Sequence, residues 1–135
     1  MEAIGKRIFE TAAAILAETT LGETAESGSS NVNLTEHFGA HVQVKVEFAA
    51  GGTQHVNLYL YSSLDAGTTD DTIPLFAQQV SLTAGTAKYV SFVIKDVAHF
   101  KVGAAHAASE ETEANRAKVT ITSRSWRNGF EEVVT

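Results

Sequence analysis

The chain contains no cysteine, so disulfides and thiolate metal sites are impossible, and its five histidines and sixteen acidic side chains are the first candidates for chemistry. His37 and His41 have the i, i+4 spacing by which two imidazoles share a zinc ion on a helix. Gly39 lies between them, however, and the context is a turn running into a strand. The stretch from Asp65 to Asp71 offers carboxylates to calcium, but it lacks the glycine at position six and the glutamate at position twelve of an EF-hand loop. Aspartates that bond to their own backbone in a turn account for it more simply. There is no His-Glu-x-x-His, no Gly-x-Ser-x-Gly, no phosphate-binding glycine loop and no dinucleotide fingerprint. Sequence alone cannot pair carboxylates for glycoside hydrolysis, because it does not say which strands face each other. Asn33-Leu-Thr35 matches a glycosylation acceptor, which has meaning only in a secreted chain. The expectation is a protein without catalytic residues, cofactor or metal. Protein purified without added metal should carry no stoichiometric zinc, and its melting curve should not respond to chelator. His55 and His99 open strands and are expected to face solvent or a neighbouring subunit.

Charge narrows the partners. The formal net charge is −6, and phosphate backbones need a basic surface, so nucleic acid is not an expected partner. No apolar run is long enough to span a bilayer, and Glu10 directly after Ile8-Phe9 spoils the apolar core of a signal peptide. The chain reads as one made and folded in the cytoplasm.

The elements that position these residues are strands. Val42, Val44, Val46 and Phe48 alternate with Gln43, Lys45 and Glu47, and Val56, Leu58 and Leu60 repeat the pattern after a Gly-Gly loop. The two runs read as an antiparallel hairpin. Val90, Phe92 and Ile94, then Val119 and Ile121, supply further inward faces, and Phe92→Ala is expected to cost about 3–5 kcal/mol. Pro74 stands at a strand entrance, where its missing N–H does least harm. Seven or eight short strands separated by turn residues imply an all-β fold, an antiparallel β-sandwich or jelly roll around residues 13–127. Residues 1–12 read as an N-terminal arm. Ile4, Ile8, Ala12, Ile15 and Leu16 fall at helical spacing, while the threonines favour a strand over about 13–21. Asn128-Gly129 reads as a turn, leaving 128–135 as a tail.

Interaction surfaces are the remaining candidates. Tyr59, Tyr61 and Tyr89 fall on outward faces by alternation, where they suit a subunit interface or a sugar platform. Arg124 and Arg127 flank Trp126 and can stack on it or meet an acidic neighbour. Ile8, Phe9 and Phe130 lie in the arms, beyond easy reach of one sandwich. Together these nine residues form the candidate interface.

Several stretches carry a family likeness. Leu60-Tyr-Ser-Ser-Leu-Asp-Ala-Gly67, Thr72-Ile-Pro-Leu-Phe76, Val93-Ile-Lys-Asp-Val-Ala-His-Phe-Lys-Val-Gly103 and Thr122-Ser-Arg-Ser-Trp-Arg127 resemble small virion structural proteins of tailed bacteriophages. The resemblance covers about residues 30–127 and consists of packing and turn patterns. It implies a multi-copy β-sandwich subunit on the particle, as capsid decoration or in the neck or tail, assembled in the host cytoplasm. Its partners would be itself and other virion proteins such as the major capsid or neck and tail proteins. The rival reading is a carbohydrate-binding module or adhesin using the tyrosine-bearing face.

Overall fold

The computed structural model describes residues 2–21, 26–47, 53–64, 76–83, 87–106 and 117–133. Among these residues the fold is entirely β. Ten strands, β1 (Glu2–Phe9), β2 (Ala13–Thr20), β3 (Ser27–Gly28), β4 (Val32–Asn33), β5 (Gly39–Glu47), β6 (Thr53–Ser63), β7 (Phe76–Thr83), β8 (Ala87–Lys95), β9 (His99–His106) and β10 (Lys118–Val133), form two five-stranded sheets. The first sheet runs β1-β10-β5-β8, with β2 also on β10; the second runs β3-β9-β6-β7, with β4 also on β9. Every pairing is antiparallel. This is the expected antiparallel sandwich.

The expected register holds. Val42, Val44, Val46, Val56, Leu58, Leu60, Ile94, Val119 and Ile121 are buried between the sheets. Gln43 is exposed, and Lys45 and Glu47 are half-exposed. Val90 and Phe92 are only partly buried, because β8 is an edge strand of its sheet. Phe48, Pro74 and the 65–71 loop lie outside the described residues.

The hairpin expected from β5 and β6 does not form. β5 pairs with β10 and β8, whereas β6 pairs with β7 and β9 in the opposite sheet. The Gly-Gly loop therefore joins strands that meet face to face. Two apolar faces in succession are buried equally well that way.

The strand expected over about 13–21 is present as β2, and the residues expected as an arm form β1; the helical spacing of Ile4, Ile8, Ala12, Ile15 and Leu16 is not expressed as a helix. β1 and β2 both lie along the same long strand, with Phe9 opposite Trp126 and Ala13 opposite Ser123. Ladder pairing satisfies their backbone groups, and that overrides a weak helical propensity. Between them, the Glu10 N–H donates to the Ser125 carbonyl at 2.8 Å, so the ladder hardly breaks. Asn128 and Gly129 make no turn. They continue β10, opposite Arg7 and Lys6.

His99 does not face solvent. It is buried at the start of β9, its Nδ1 3.2 Å from the Asn31 side-chain amide. His106 is buried too, and its Nε2 accepts the Ala117 N–H at 3.0 Å. That bond requires an unprotonated Nε2.

Candidate assembly site: a two-stranded ribbon and its base

β10 is sixteen residues long, and β5 accompanies only its first part. The pairing with β5 stops at Trp126 opposite Gly39, closed by the Phe38 N–H donating to the Trp126 carbonyl at 2.9 Å. From Arg127 to Val133 the only strand partner among the described residues is β1. Burial shows what this means. Gly5, Lys6 and Arg7 are exposed in succession, as are Arg127 and Asn128. A strand lying on a core alternates between wet and dry residues; over these five residues neither face is buried, and Ile8 and Gly129 beside them are only half-buried. β1 and the end of β10 therefore form a ribbon that leaves the sandwich. Such ribbons are marginally stable alone.

Trp126 anchors it. The indole is 7% exposed although it lies on the outer face of the sheet, beside Arg124 and across from Phe9. Space for it comes from Gly39, where a Cβ would overlap the indole ring and the Ile94 carbonyl. The Phe9 ring lies 6.2 Å from the indole, tilted by 53°. Arg7 sits over the indole at 5.4 Å and Arg124 over the Phe9 ring at 5.0 Å, two cation–π contacts. Glu10 gathers the neighbouring charges. Its carbonyl accepts from Arg124 Nε at 3.1 Å, and its carboxylate lies 3.4 Å from Arg127 Nε and 3.5 Å from His37 Nε2. The Arg127–Glu10 pair is half-exposed and adds little energy; it orients the ribbon more than it stabilises it.

A cleft of about 480 Å³ opens beside this anchor, between Arg7, Phe9, Trp126 and Asn128 on one side and Phe38, His41, Val93, Lys95 and Asp96 on the other. Phe9, Phe38 and Val93 are 46%, 57% and 59% exposed. Exposed apolar groups clustered in this way mark contact surfaces.

Of the nine candidate interface residues, the structure brings together Phe9, Arg124, Trp126 and Arg127. Ile8 stands opposite Arg127, half-buried, and its side chain fills the space that a Cβ on Gly129 would need. Phe130 lies further along the ribbon, opposite Gly5. The tyrosines lie elsewhere and do not share one platform. Tyr89 is 59% exposed on β8 in the first sheet, whereas Tyr59 and Tyr61 are on β6 in the second, 6.4 Å apart. Sequence reasoning missed Arg7, Glu10, Phe38 and Gly39. The only signal for them was local, since each neighbours a residue already singled out.

Tyr61 is already engaged. Its hydroxyl donates to the Glu26 carboxylate at 3.0 Å, and Glu26 reaches it across Gly103, where a Cβ would strike the carboxylate. Partial burial first, then this hydrogen bond and the Glu26 charge, push the phenol pKa up from 10.0 to about 12. The folded value lies above the unfolded one, so the stabilisation is complete below pH 10 and is lost as pH rises through 12. Titration followed by ultraviolet absorbance should show one late tyrosine, and Glu26→Gln should bring it back toward the ordinary range. A late phenol that persists in Glu26→Gln would assign the shift to burial alone.

Among the described residues no group of three or more histidines and carboxylates is placed to hold a metal ion. No helix is long and apolar enough to cross a membrane.

No family model and no curated protein sequence matches this chain. Solved structures share the general β architecture at low similarity. A protein of infectious bursal disease virus, Gx strain, is 13% identical over the whole of this chain, with a TM-score of 0.48. The chain spans only 39% of that protein's length. A xylan-binding domain from Paenibacillus barcinonensis is 14% identical, with 89% of this chain and 91% of that one covered and a TM-score of 0.41. A subunit of Bacillus endospore appendages, described as disulfide-linked pili, is 10% identical over 93% of this chain and 88% of that one, at 0.39. At these TM-scores none of the three assigns a function.

Proposed function

We propose that this chain is a non-enzymatic structural subunit of a bacteriophage virion, present in many copies and joined to its neighbours through the ribbon. In this proposal residues 13–127 are the sandwich, while 1–12 and 128–135 act together as the arm. The observation that carries the reading is the ribbon itself: beyond Trp126, β10 keeps β1 as its one described strand partner, and Gly5, Lys6, Arg7, Arg127 and Asn128 are exposed there. A free-standing ribbon costs conformational entropy and recovers it only when something covers it. The sequence resemblance to small tailed-phage virion proteins supports the kind of neighbour, namely itself and the major capsid or neck and tail proteins. The resemblance is compatible with capsid decoration and with a place in the neck or tail.

The rival reading, a carbohydrate-binding module or adhesin, would rest on Tyr59 and Tyr61 alone. Tyr89 is on the opposite sheet from Tyr59 and Tyr61, and the Tyr61 hydroxyl is bound to Glu26.

Deleting residues 1–9 tests the proposal. The sandwich should keep its cooperative unfolding, while binding to particles that lack the subunit should fall to background in a co-sedimentation assay. Undiminished binding by the truncated chain would refute the arm's role, and failure of the intact chain to bind any particle would refute the virion assignment.

A further inference from the structure

The direction of the backbone groups along β10 fixes what its free edge offers. The Trp126 carbonyl points toward β5, where it accepts from Phe38, and the Ser125 carbonyl points the other way, where it accepts from Glu10. Orientation alternates along an antiparallel strand. Arg127, Gly129 and Glu131 therefore bond to β1, while the N–H and C=O groups of Asn128, Phe130 and Glu132 point to the side that β5 has vacated. No described strand pairs with them there. An unpaired edge of this kind is a template for another strand.

We propose that this edge pairs with the same edge of a second copy, antiparallel about a two-fold axis at Phe130. The inference rests on the reading of the ribbon as an assembly arm and names its first partner. Residues 127–133 are symmetric about Phe130. Pairing in that register sets Arg127 opposite Val133, Asn128 opposite Glu132 and Gly129 opposite Glu131. All three residues with free backbone groups then bond in both copies. Each Arg127 gains Glu131 of the second copy as a diagonal neighbour, which offsets the diagonal approach of the two Glu131 residues across the axis, and no like charges stand directly opposite each other. The neighbouring registers are excluded. Centring on Gly129 would run Val133 alongside Ser125 of the second copy, a place that β5 holds through Ala40. Centring on Glu131 would set two glutamates face to face at the axis. The product is a four-stranded sheet, β1-β10-β10-β1, built by an isologous contact.

The absence of native cysteine makes the test direct. In a hydrogen-bonded antiparallel pair opposed Cα atoms are about 5.5 Å apart, within disulfide reach. The axis makes Phe130 its own opposite. Phe130→Cys in the full chain should therefore form covalent dimers under mild oxidation. Arg127→Cys places its two thiols about six residues apart along the ladder, roughly 20 Å, and should cross-link at least about tenfold more slowly. Equal rates would overturn the register. Independently, light scattering of the unmodified chain should show a dimer, and Asn128→Pro should raise its dissociation constant about thirtyfold, since two edge N–H donors are lost per dimer. The β1 ladder does not use that N–H, so hydrogen exchange in β1 should be unchanged. A chain that is monomeric alone but binds particles would sink this inference and leave the virion proposal standing. A dimer without particle binding would do the reverse.

Discussion

Phe100→Ala should lower the folding free energy by about 3–5 kcal/mol, seen as a reduced urea midpoint at unchanged slope. Phe100 is 1% exposed and the bulkiest of the fully buried side chains among the described residues. It sits on β9 between Val32 of β4 and Ser62 of β6, in the interior of its sheet. Neighbours on both sides are fixed by ladder hydrogen bonds and cannot collapse into the space left by a ring, so the cavity term is added to the lost transfer energy. A domain of this size has about 5–15 kcal/mol in total, and the variant should be visibly less stable at ordinary temperature. Phe92→Ala makes the informative contrast. The alternating pattern marks Phe92 as core just as clearly, yet it is partly exposed on the edge strand β8. Its expected cost drops to about 2 kcal/mol, roughly half the value for a fully enclosed ring. Equal losses for the two variants would mean that edge position does not moderate burial here.

Trp126→Ala should cost about 3–5 kcal/mol as well, but the loss should fall on the ribbon. Among the described side chains the indole is the large apolar group that joins ribbon to sheet: it fills the space above Gly39, carries Phe9 and lies under Arg7. Without it, β1 is left with one ladder and no packed anchor. Hydrogen exchange should separate the two parts of the molecule. Amides of β1 are expected to exchange on the order of a hundredfold faster, while Val44 and Val102, buried in the two sheets, keep most of their protection. Uniform loss of protection would show that ribbon and sandwich unfold as one unit. Unchanged protection in β1 would show that the ladder alone holds it. The same variant should lose particle binding if the ribbon is the arm, because a frayed strand pays its ordering cost again on docking.

The sequence by itself determined the class of fold and which side chains go inside. Val42, Val44, Val46, Val56, Leu58 and Leu60 are buried as their spacing demands, because alternation is a local property: successive side chains on a strand point to opposite faces whatever the strand pairs with. What lies beside or across from each strand is not local. The pattern of β5 and β6 is the same whether the two sit edge to edge or face to face, and only the packed molecule placed them in opposite sheets. The first twenty residues show the same limit from the other side. Their helical spacing was a weak preference, and the ladder offered by β10, more than a hundred residues away in the chain, decided them. Asn128-Gly129 looked like a turn because those residues tolerate one; pairing with Arg7 and Lys6 kept them extended. The candidate site followed the same rule. Phe9, Arg124, Trp126 and Arg127 were legible separately as candidate interface residues. Their meeting at the root of a ribbon, and the departure of the tyrosines to two different sheets, were set by strand order, and strand order is fixed by long-range contacts that no short stretch of sequence encodes.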